Sequence, residues 1–585
     1  MKVSNKFQQK HPNIMLITTD EERYPPFYEN EEACQFRLKH SQVLQEMCAH
    51  GMEFKRHHTA ATACAPSRTS LYTGQYPSLH GVSQTPGIGK SSFDQNTFWL
   101  KPNTVPTLGN YFRQAGYQTY YRGKWHLSYE DIDVPGTQTA LMSNATDGTP
   151  FPHRVSLYEH ANRLDRYGFD GWIGPEPHGA VQANDGTVRD PGFADQVCRT
   201  LDQLQAKAEA GDATPFLLVS SFVNPHDIVF SGLPWFPKFK QLQEAGKLPY
   251  VAPPPTADEA LLTKPRCQKD YLLTYPRMYL PQQTDESYRQ FYYFLMAEVH
   301  AHIARVYQRL KESPFFENTI VIFTSDHGDL LGAHGGLQQK WYNAYSEALH
   351  VPLIISNPKI FPEKQSTELY SSHIDLMPTI LGLAGIDAEK IRHELTQTHS
   401  EAQALVGRDL SGLIYGTQTE QDAPIYFMTD DNVEVGMQMT NPITGFAYNA
   451  IVQPNHIETV ITKLPAITGE TVWKYSRYFD NPRFSVGQLG NPDNVTAARG
   501  IPDEFECYNL SADPLETENL ASAICANPLP DKVRKALELV LAQQRKTKRL
   551  LPKTLNDQTQ KEQVAQTVEA PIRKPLAFVL DEIVA

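Results

Sequence analysis

The sequence predicts an α/β fold: a large, mostly parallel or mixed sheet sandwiched by helices, followed by a smaller strand-rich α+β unit. Three observations lead there. Short apolar runs are each followed at once by a polar cluster, and helix-like stretches separate most of them. The chain is also long, 585 residues with 40 % hydrophobic and 10 % aromatic side chains, which is enough apolar surface to close a large core and excludes a mainly disordered chain.

Taken in order, Ile14-Met15-Leu16-Ile17 runs into Thr18-Thr19-Asp20-Glu21. Thr62 to Gly74 reads as a short helix, with Pro66 in its first turn and Gly74 ending it. Phe216-Leu217-Leu218-Val219 leads through two serines to Asn224-Pro225-His226. Nine prolines between Ser231 and Pro281 mark a long ordered insertion or lid. Val299, Ile303, Val306 and Leu310 recur at helical spacing ahead of Ile320-Val321-Ile322-Phe323, which runs into Thr324-Ser325-Asp326-His327-Gly328-Asp329; Met377, Ile380, Leu381 and Ala384 repeat the helical period. Buried parallel strands read as such apolar runs, and their ligands gather beyond the carboxyl ends, so the polar clusters share one crevice. From about residue 421 strands are expected over Thr429 to Val435, Ile451 to Ile461 and Val472 to Phe479, then a helix over Asp531 to Arg549. The expected division is a main domain at 1–420 containing the 231–281 insertion, a smaller domain at 421–550, and a tail at 551–585. The tail's last residues, Pro575 to Ala585, are more apolar than a free tail and read as a contact in a homo-oligomer.

The balance of 53 Lys+Arg against 66 Asp+Glu gives a net charge of −13. Without basic runs this argues against nucleic acid or a membrane surface as partner, and no apolar run approaches the ~20 residues of a membrane span. A small molecule or another protein is expected instead. Met1 to Pro12 is polar, without the apolar stretch of a secretory leader. Cys34, Cys48, Cys64, Cys198, Cys267, Cys507 and Cys525 show no paired spacing, which reads as reduced thiols in a cytoplasmic protein.

Asp20 and Glu21 close one strand and Asp326 and His327 another. A lone aspartate after a strand is ordinarily a turn or cap group. Two clusters at two strand ends instead fit a hard cation, which needs oxygen ligands converging from separate segments. Cys64 stands at a helix N-terminus, where free N–H groups favour an anion and activate a nucleophile; taken alone, such a cysteine is more often a small buried residue.

Cys64-Ala65-Pro66-Ser67-Arg68, followed by Thr69-Ser70-Leu71-Tyr72-Thr73-Gly74, resembles the signature of the type I sulfatases of the alkaline phosphatase superfamily. Further segments match in family order: Pro12 to Ile17 before the acidic pair, Gly123-Lys124-Trp125-His126-Leu127, Asn224-Pro225-His226, Thr324 to Asp329, Lys340 ahead of Val351-Pro352-Leu353-Ile354, and Asp513-Pro514-Leu515-Glu516 with Asn519-Leu520. The resemblance covers residues 12 to about 521 and implies an alkaline phosphatase-like fold. It also implies oxidation of Cys64 to formylglycine by a maturation enzyme, and a sulfate ester substrate. A serine attacking sulfur would end as an inert ester. The hydrated aldehyde has two hydroxyls, one to attack and one to lose a proton and expel sulfate.

By the same resemblance Asp20, Glu21, Asp326 and His327, with the side chain of residue 64, hold a divalent cation. Arg68 steadies the formylglycine, and Lys124 and Lys340 contact sulfuryl oxygens. His126 deprotonates the second hydroxyl, and His226, with Lys340, serves the leaving oxygen. The chain departs from the family's commoner pattern at Glu21 and at His327. The nitrogen ligand makes Mn²⁺ a rival to Ca²⁺, and the Asp-His pair, shared with phosphonate monoester hydrolases and choline sulfatases, leaves phosphonate or phosphate diesters as the alternative substrates. A non-catalytic scaffold ranks below both. His373 and Asp375 read as capping or packing groups, Asp329 and His334 as residues that support the metal motif or its loop, and Tyr271, Tyr275, Tyr279, Tyr288, Tyr292 and Tyr293, which border the insertion, as its packing ahead of the alternative that they wall an aryl or sugar pocket.

Overall fold

A computed structural model describes residues 11–553 apart from 88, 178–180, 235, 437–438 and 481–500; the expected tail contact at Pro575 to Ala585 lies outside the described residues. Seven strands form the main sheet: β1 Asn13–Asp20, β2 Gly51–His58, β3 Gln118–Gly123, β4 Phe216–Pro225, β5 Thr319–Ser325, β6 Leu353–Ser356 and β7 Gln365–Ser372. Their order is β3-β4-β1-β5-β6-β2-β7. β3, β4, β1 and β5 are mutually parallel, with Ile14 opposite both Leu217 and Ile320. β6 alone runs against its neighbours, and β2 pairs parallel with β7. The sheet is therefore mixed, and the carboxyl ends of β1, β4 and β5 share one edge.

Alternation along each strand divides the core between the two faces of the sheet. Ile14, Leu16, Leu217, Val219, Ile320 and Ile322 pack toward the helices Cys64–Thr73 and His373–Leu383. Met15, Ile17, Leu218, Val321 and Phe323 pack against the long helices Gly186–Glu209 and Glu286–Lys311. Every residue of β1 is buried, which is why Ile14 to Ile17 reads as an unbroken apolar run.

A second sheet, β8 Ile425–Thr429, β9 His456–Leu464, β10 Gly469–Phe479 and β11 Glu504–Asn509, is antiparallel in the order β11-β10-β9-β8, and the helix Asp531–Lys548 packs on it. Two expected strands are corrected here. The strand at 429 ends where Thr429 to Val435 was expected to begin, because Asp430 and Asp431 turn inward, Asp430 to His456 (2.9 Å) and Asp431 to Ala63, Thr85 and Trp341. β9 starts at His456 rather than Ile451, since Pro454 can donate no ladder hydrogen bond. β11 carried no sequence signal strong enough to be expected. This sheet abuts the segment leading to Cys64: Met428 N–H donates to Ala60 O (3.1 Å), Thr429 Oγ1 to Thr62 O (2.6 Å) and Tyr76 OH to Tyr426 O (2.7 Å).

The proline-rich insertion is ordered and holds the helices Pro237–Glu244 and Arg266–Met278. Its Tyr271, Tyr275 and Tyr279 share a core with Phe427, Ile457, Tyr478 and Tyr508 of the second sheet. A polar clasp ties it to the loop after β5. Glu259 pairs with Lys264 (3.1 Å) and with His334 Nδ1 (3.0 Å), the other ring nitrogen of His334 pairs with Glu347 (3.4 Å), and Lys264 donates to Tyr508 OH (2.8 Å). Burial alone would lower the pKa of His334, but the two carboxylates push it up to about 9, while hydrogen bonding to His334 outweighs burial and brings Glu347 down to about 2. A histidine raised in the folded state stabilises fully below its unfolded pKa of about 6.5 and loses that contribution as pH rises through about 9. Urea unfolding between pH 6 and pH 10 is expected to show a fall of about 3 kcal/mol from this group; His334→Gln should flatten the curve in that window, and an unchanged slope would refute the clasp.

Candidate active site

β1 and β5 lie side by side with Thr19 opposite Ser325, so Asp20 and Asp326 leave the sheet together. Glu21 N–H donates to Asp326 Oδ1 (3.0 Å) and Glu22 N–H to Ser325 Oγ (2.9 Å). These bonds close a turn in which Glu21 has φ 72°, a left-handed conformation that costs a non-glycine residue of order 1 kcal/mol or more and persists only where its surroundings over-determine it. Tyr292 completes that constraint: its hydroxyl donates to Glu21 O (2.8 Å) and accepts Arg23 N–H (3.0 Å). The other tyrosines in and beside the insertion are buried as packing groups; Tyr292, on the helix Glu286–Lys311, additionally shapes the site.

The helix Cys64–Thr73 is buried throughout and ends at Gly74 with φ 62°, as its sequence predicts. Ser67 Oγ donates to Asp326 O (2.5 Å). Arg68 bonds Trp125 O (3.0 Å) and Lys124 O (2.5 Å) while pairing with Asp326 (3.3 Å) and Asp20 (3.8 Å), so it braces the lysine loop as well as the two aspartates. Cys64 Sγ lies 3.6 Å from Asp20 Oδ1 and 3.1 Å from His327 Nε2. Burial and the Asp20 carboxylate push the thiol well above its ordinary pKa, which makes the unmodified sulfur a poor nucleophile.

Asp20, Cys64, Asp326 and His327 each present a ligand atom within 4.8 Å of the others, and Asp20, Glu21 and His226 form a second, overlapping set. His327 Nδ1 must donate to Gly328 O (2.9 Å), since a carbonyl only accepts, and Nε2 is left as a lone-pair donor toward the cluster. Asp20 Oδ2 and both Glu21 carboxylate oxygens are buried and receive no hydrogen bond, their partners being Lys124 (2.7 Å from Asp20) and Lys340 (3.1 Å from Glu21). Burial would raise Asp20, but Lys124, His226, His327 and Arg68 hold its carboxyl well below the usual range. Burial with Asp20 nearby brings Asp326 to about 7, and burial pushes Glu21 well up despite Lys340. Converging buried carboxylates and an imidazole form a donor set that fits one divalent cation.

Lys124 follows β3 at Gly123, whose φ is 108° and where a Cβ would stand 1.7 Å from Ser221 O; only glycine permits that close approach. Glu176 accepts Trp125 N–H on both oxygens (3.0 and 3.1 Å) and so holds the next peptide. His126 is buried, with φ 62°. His226 stands just beyond β4, its Nδ1 3.5 Å from Asp227 Oδ1, and burial together with Lys124 keeps the imidazole neutral. Lys340 stays charged: burial is outweighed by Cys64, Glu21 and Asp20. Asp20, Glu21, Cys64, Arg68, Lys124, His226, Asp326, His327 and Lys340 thus lie together at one edge of the sheet, with Glu21 in the second ligand set rather than beside Cys64, while the ring of His126, two residues beyond Lys124, packs toward Trp99. The three cations Arg68, Lys124 and Lys340 suit a tetrahedral anion on residue 64.

Two contributors had no sequence signal. Asp431 accepts from Ala63 N–H (3.3 Å), Thr85 N–H (3.2 Å) and Trp341 Nε1 (3.1 Å), linking the loop before Cys64 to the neighbour of Lys340. Glu176 supports the lysine loop as described. His373 donates to Ser325 O (3.0 Å) at the end of β5, and Asp375 caps its helix and pairs with Arg408 (2.8 Å), as expected of packing and capping groups.

The family model described as Sulfatase matches residues 12–386. The uncharacterized sulfatase YidJ of Escherichia coli (strain K12) is 29 % identical over 388 residues, 65 % of this chain and 69 % of that protein. Iduronate 2-sulfatase of Homo sapiens is 24 % identical over 526 residues, 83 % and 87 % of the two chains. Among solved structures, BT4656 in complex with its substrate D-glucosamine-2-N,6-O-disulfate superposes with a TM-score of 0.58 at 16 % identity, covering 92 % of this chain and 98 % of that one, a likeness of fold.

Proposed function

The chain belongs to the sulfatase family and is a sulfuric ester hydrolase, and we propose that it works through a formylglycine made from Cys64 by a maturation enzyme, beside one divalent cation. That cation, Ca²⁺ with Mn²⁺ as rival, would be held by Asp20, Glu21, Asp326 and His327 and would supply Lewis-acid polarisation when bound. The hydrated aldehyde supplies the attacking hydroxyl. The position of Cys64 Sγ, 3.6 Å from Asp20 and 3.1 Å from His327, is the observation that carries this reading.

The protein's own groups do the rest. Lys124 and Lys340 neutralise charge building on the sulfuryl oxygens, in a buried setting where each is worth far more than in water. Arg68 fixes the peptide carbonyls of Lys124 and Trp125, so the lysine is aimed before substrate arrives. His126 takes the proton of the second hydroxyl when sulfate is expelled, and His226 brings an N–H to the leaving oxygen.

Mass spectrometry of the peptide bearing residue 64 is expected to show a thiol converted to an aldehyde. Turnover of a panel of aryl, alkyl and sugar sulfates should fall to background on chelation and return with Ca²⁺ or Mn²⁺. An active preparation with an unmodified cysteine would refute the formylglycine. A phosphonate monoester cleaved faster than every sulfate ester would refute the preference for sulfate.

A further inference from the structure

A cavity of about 460 Å³ lies beside the turn that follows β1, walled by residues other than those assigned to sulfate ester hydrolysis. Ser41, His300 and Glu22 line it together. Ser41 Oγ stands 2.6 Å from His300 Nδ1, and His300 Nε2 stands 3.0 Å from Glu22 Oε1. A carboxylate only accepts, so Nε2 carries the proton directed at Glu22 and Nδ1 is left to accept from the serine hydroxyl. The three side chains come from separate elements: the turn after β1, the joint between the helices Glu31–His40 and Gln42–Ala49, and the helix Glu286–Lys311. Each is buried, at 4 % exposure or less.

Ser41 occupies the N-cap of the helix Gln42–Ala49, where a serine ordinarily accepts from the second or third N–H of its own helix. Among the described residues its side chain makes no such bond and turns to His300 instead. The first turn of that helix therefore keeps N–H groups beside the hydroxyl, at the positive end of the helix dipole, where a developing oxyanion is stabilised. A hydroxyl, an imidazole that takes its proton and a carboxylate that orients the imidazole are the parts of an activated serine. The charged side chains around the cavity are already matched: Arg37 with Glu29 (2.7 Å) and Lys364 with Glu53 (3.7 Å), while Arg23 donates to Asp329 O (3.2 Å). Leu38, Leu44, Met296, Leu353 and Ile354 supply apolar wall. That size and lining suit a small uncharged ligand rather than a sulfate.

We propose that Ser41 is the nucleophile of a second hydrolytic site, acting on small uncharged carboxylic esters. Ser41 Oγ bonds to the ester's carbonyl carbon as its proton passes to His300 Nδ1; the bond from that carbon to the alcohol oxygen then breaks, and His300 hands the proton to the departing oxygen. Water next gives a proton to His300 as its oxygen joins the acyl carbon, and His300 passes that proton to Ser41 Oγ as the acyl–serine bond breaks. The carboxylic acid leaves and the hydroxyl is restored. Glu22 holds the imidazole through Nε2 in both halves. The site needs nothing from Cys64, so it stands or falls separately from the sulfatase reading.

Two probes test this on the full chain carrying Cys64→Ala, which removes any contribution from residue 64: an alkyl fluorophosphonate and 4-nitrophenyl acetate. Peptide mapping by mass spectrometry is expected to place the phosphonyl adduct on Ser41. Adding Ser41→Ala should abolish that adduct and lower hydrolysis of the acetate by about 100-fold or more. His300→Gln should slow labelling and hydrolysis together, because a serine without its base is a weak nucleophile. Absence of an adduct on Ser41, an adduct formed as fast with His300→Gln, or acetate hydrolysis that survives Ser41→Ala would each overturn the proposal. The adduct is read with Ser41 in place, so it decides the question even where the alanine variant fails to fold.

Discussion

Cys64→Ala is expected to lower kcat on any sulfate ester by about 10⁵-fold or more, the scale seen when a covalent nucleophile is removed and only binding and electrostatics remain. Alanine can form neither a hydrate nor a sulfate ester. The fold should tolerate the change: the side chain is small, and its polar neighbours Asp20 and His327 keep their other partners, Lys124 and Gly328 O. Stability by urea unfolding should stay within about 1 kcal/mol of the parent. Residual turnover within tenfold of the parent, in a protein shown by mass spectrometry to carry alanine, would remove residue 64 from the mechanism.

Lys124→Ala is expected to damage both activity and stability. Its ammonium stands 2.7 Å from Asp20 Oδ2, and both side chains are fully buried. Breaking a buried pair leaves one charge uncompensated and costs about 3–5 kcal/mol. Asp20 then loses the main group that holds its carboxyl low, so its pKa rises toward the range of Asp326. The charge facing the sulfuryl oxygens goes as well, and a loss of about 10²–10³ in kcat is expected from that alone. The two effects separate experimentally: saturating Ca²⁺ should recover part of the stability by binding the folded state, but not the rate. Full recovery of kcat with added metal would show that Lys124 serves only to compensate Asp20.

The three main strands were readable because a strand buried on both faces carries a continuous apolar stretch, as β1, β4 and β5 do at Ile14–Ile17, Phe216–Val219 and Ile320–Phe323. Helices with one buried face, such as Glu286–Lys311, were readable from their period. The second sheet was read less well. Its strands meet side chains from several directions, so Asp430 and Asp431 interrupt what looked like a strand, Pro454 delays the next, and β11 escaped notice.

Residue types and their order along the chain, through the family motifs they match, by themselves nominated the groups proposed to bind a cation, attack sulfur and balance charge, because those motifs are short and local. Only the tertiary structure decided how those groups face one another: Glu21 turned through a left-handed bend onto Lys340, Arg68 bracing the lysine loop, and Asp431 gathering three loops beside Cys64. These are contacts between side chains tens to hundreds of positions apart, set by which strand ends adjoin and which buried polar groups must find partners. No local periodicity records such a requirement.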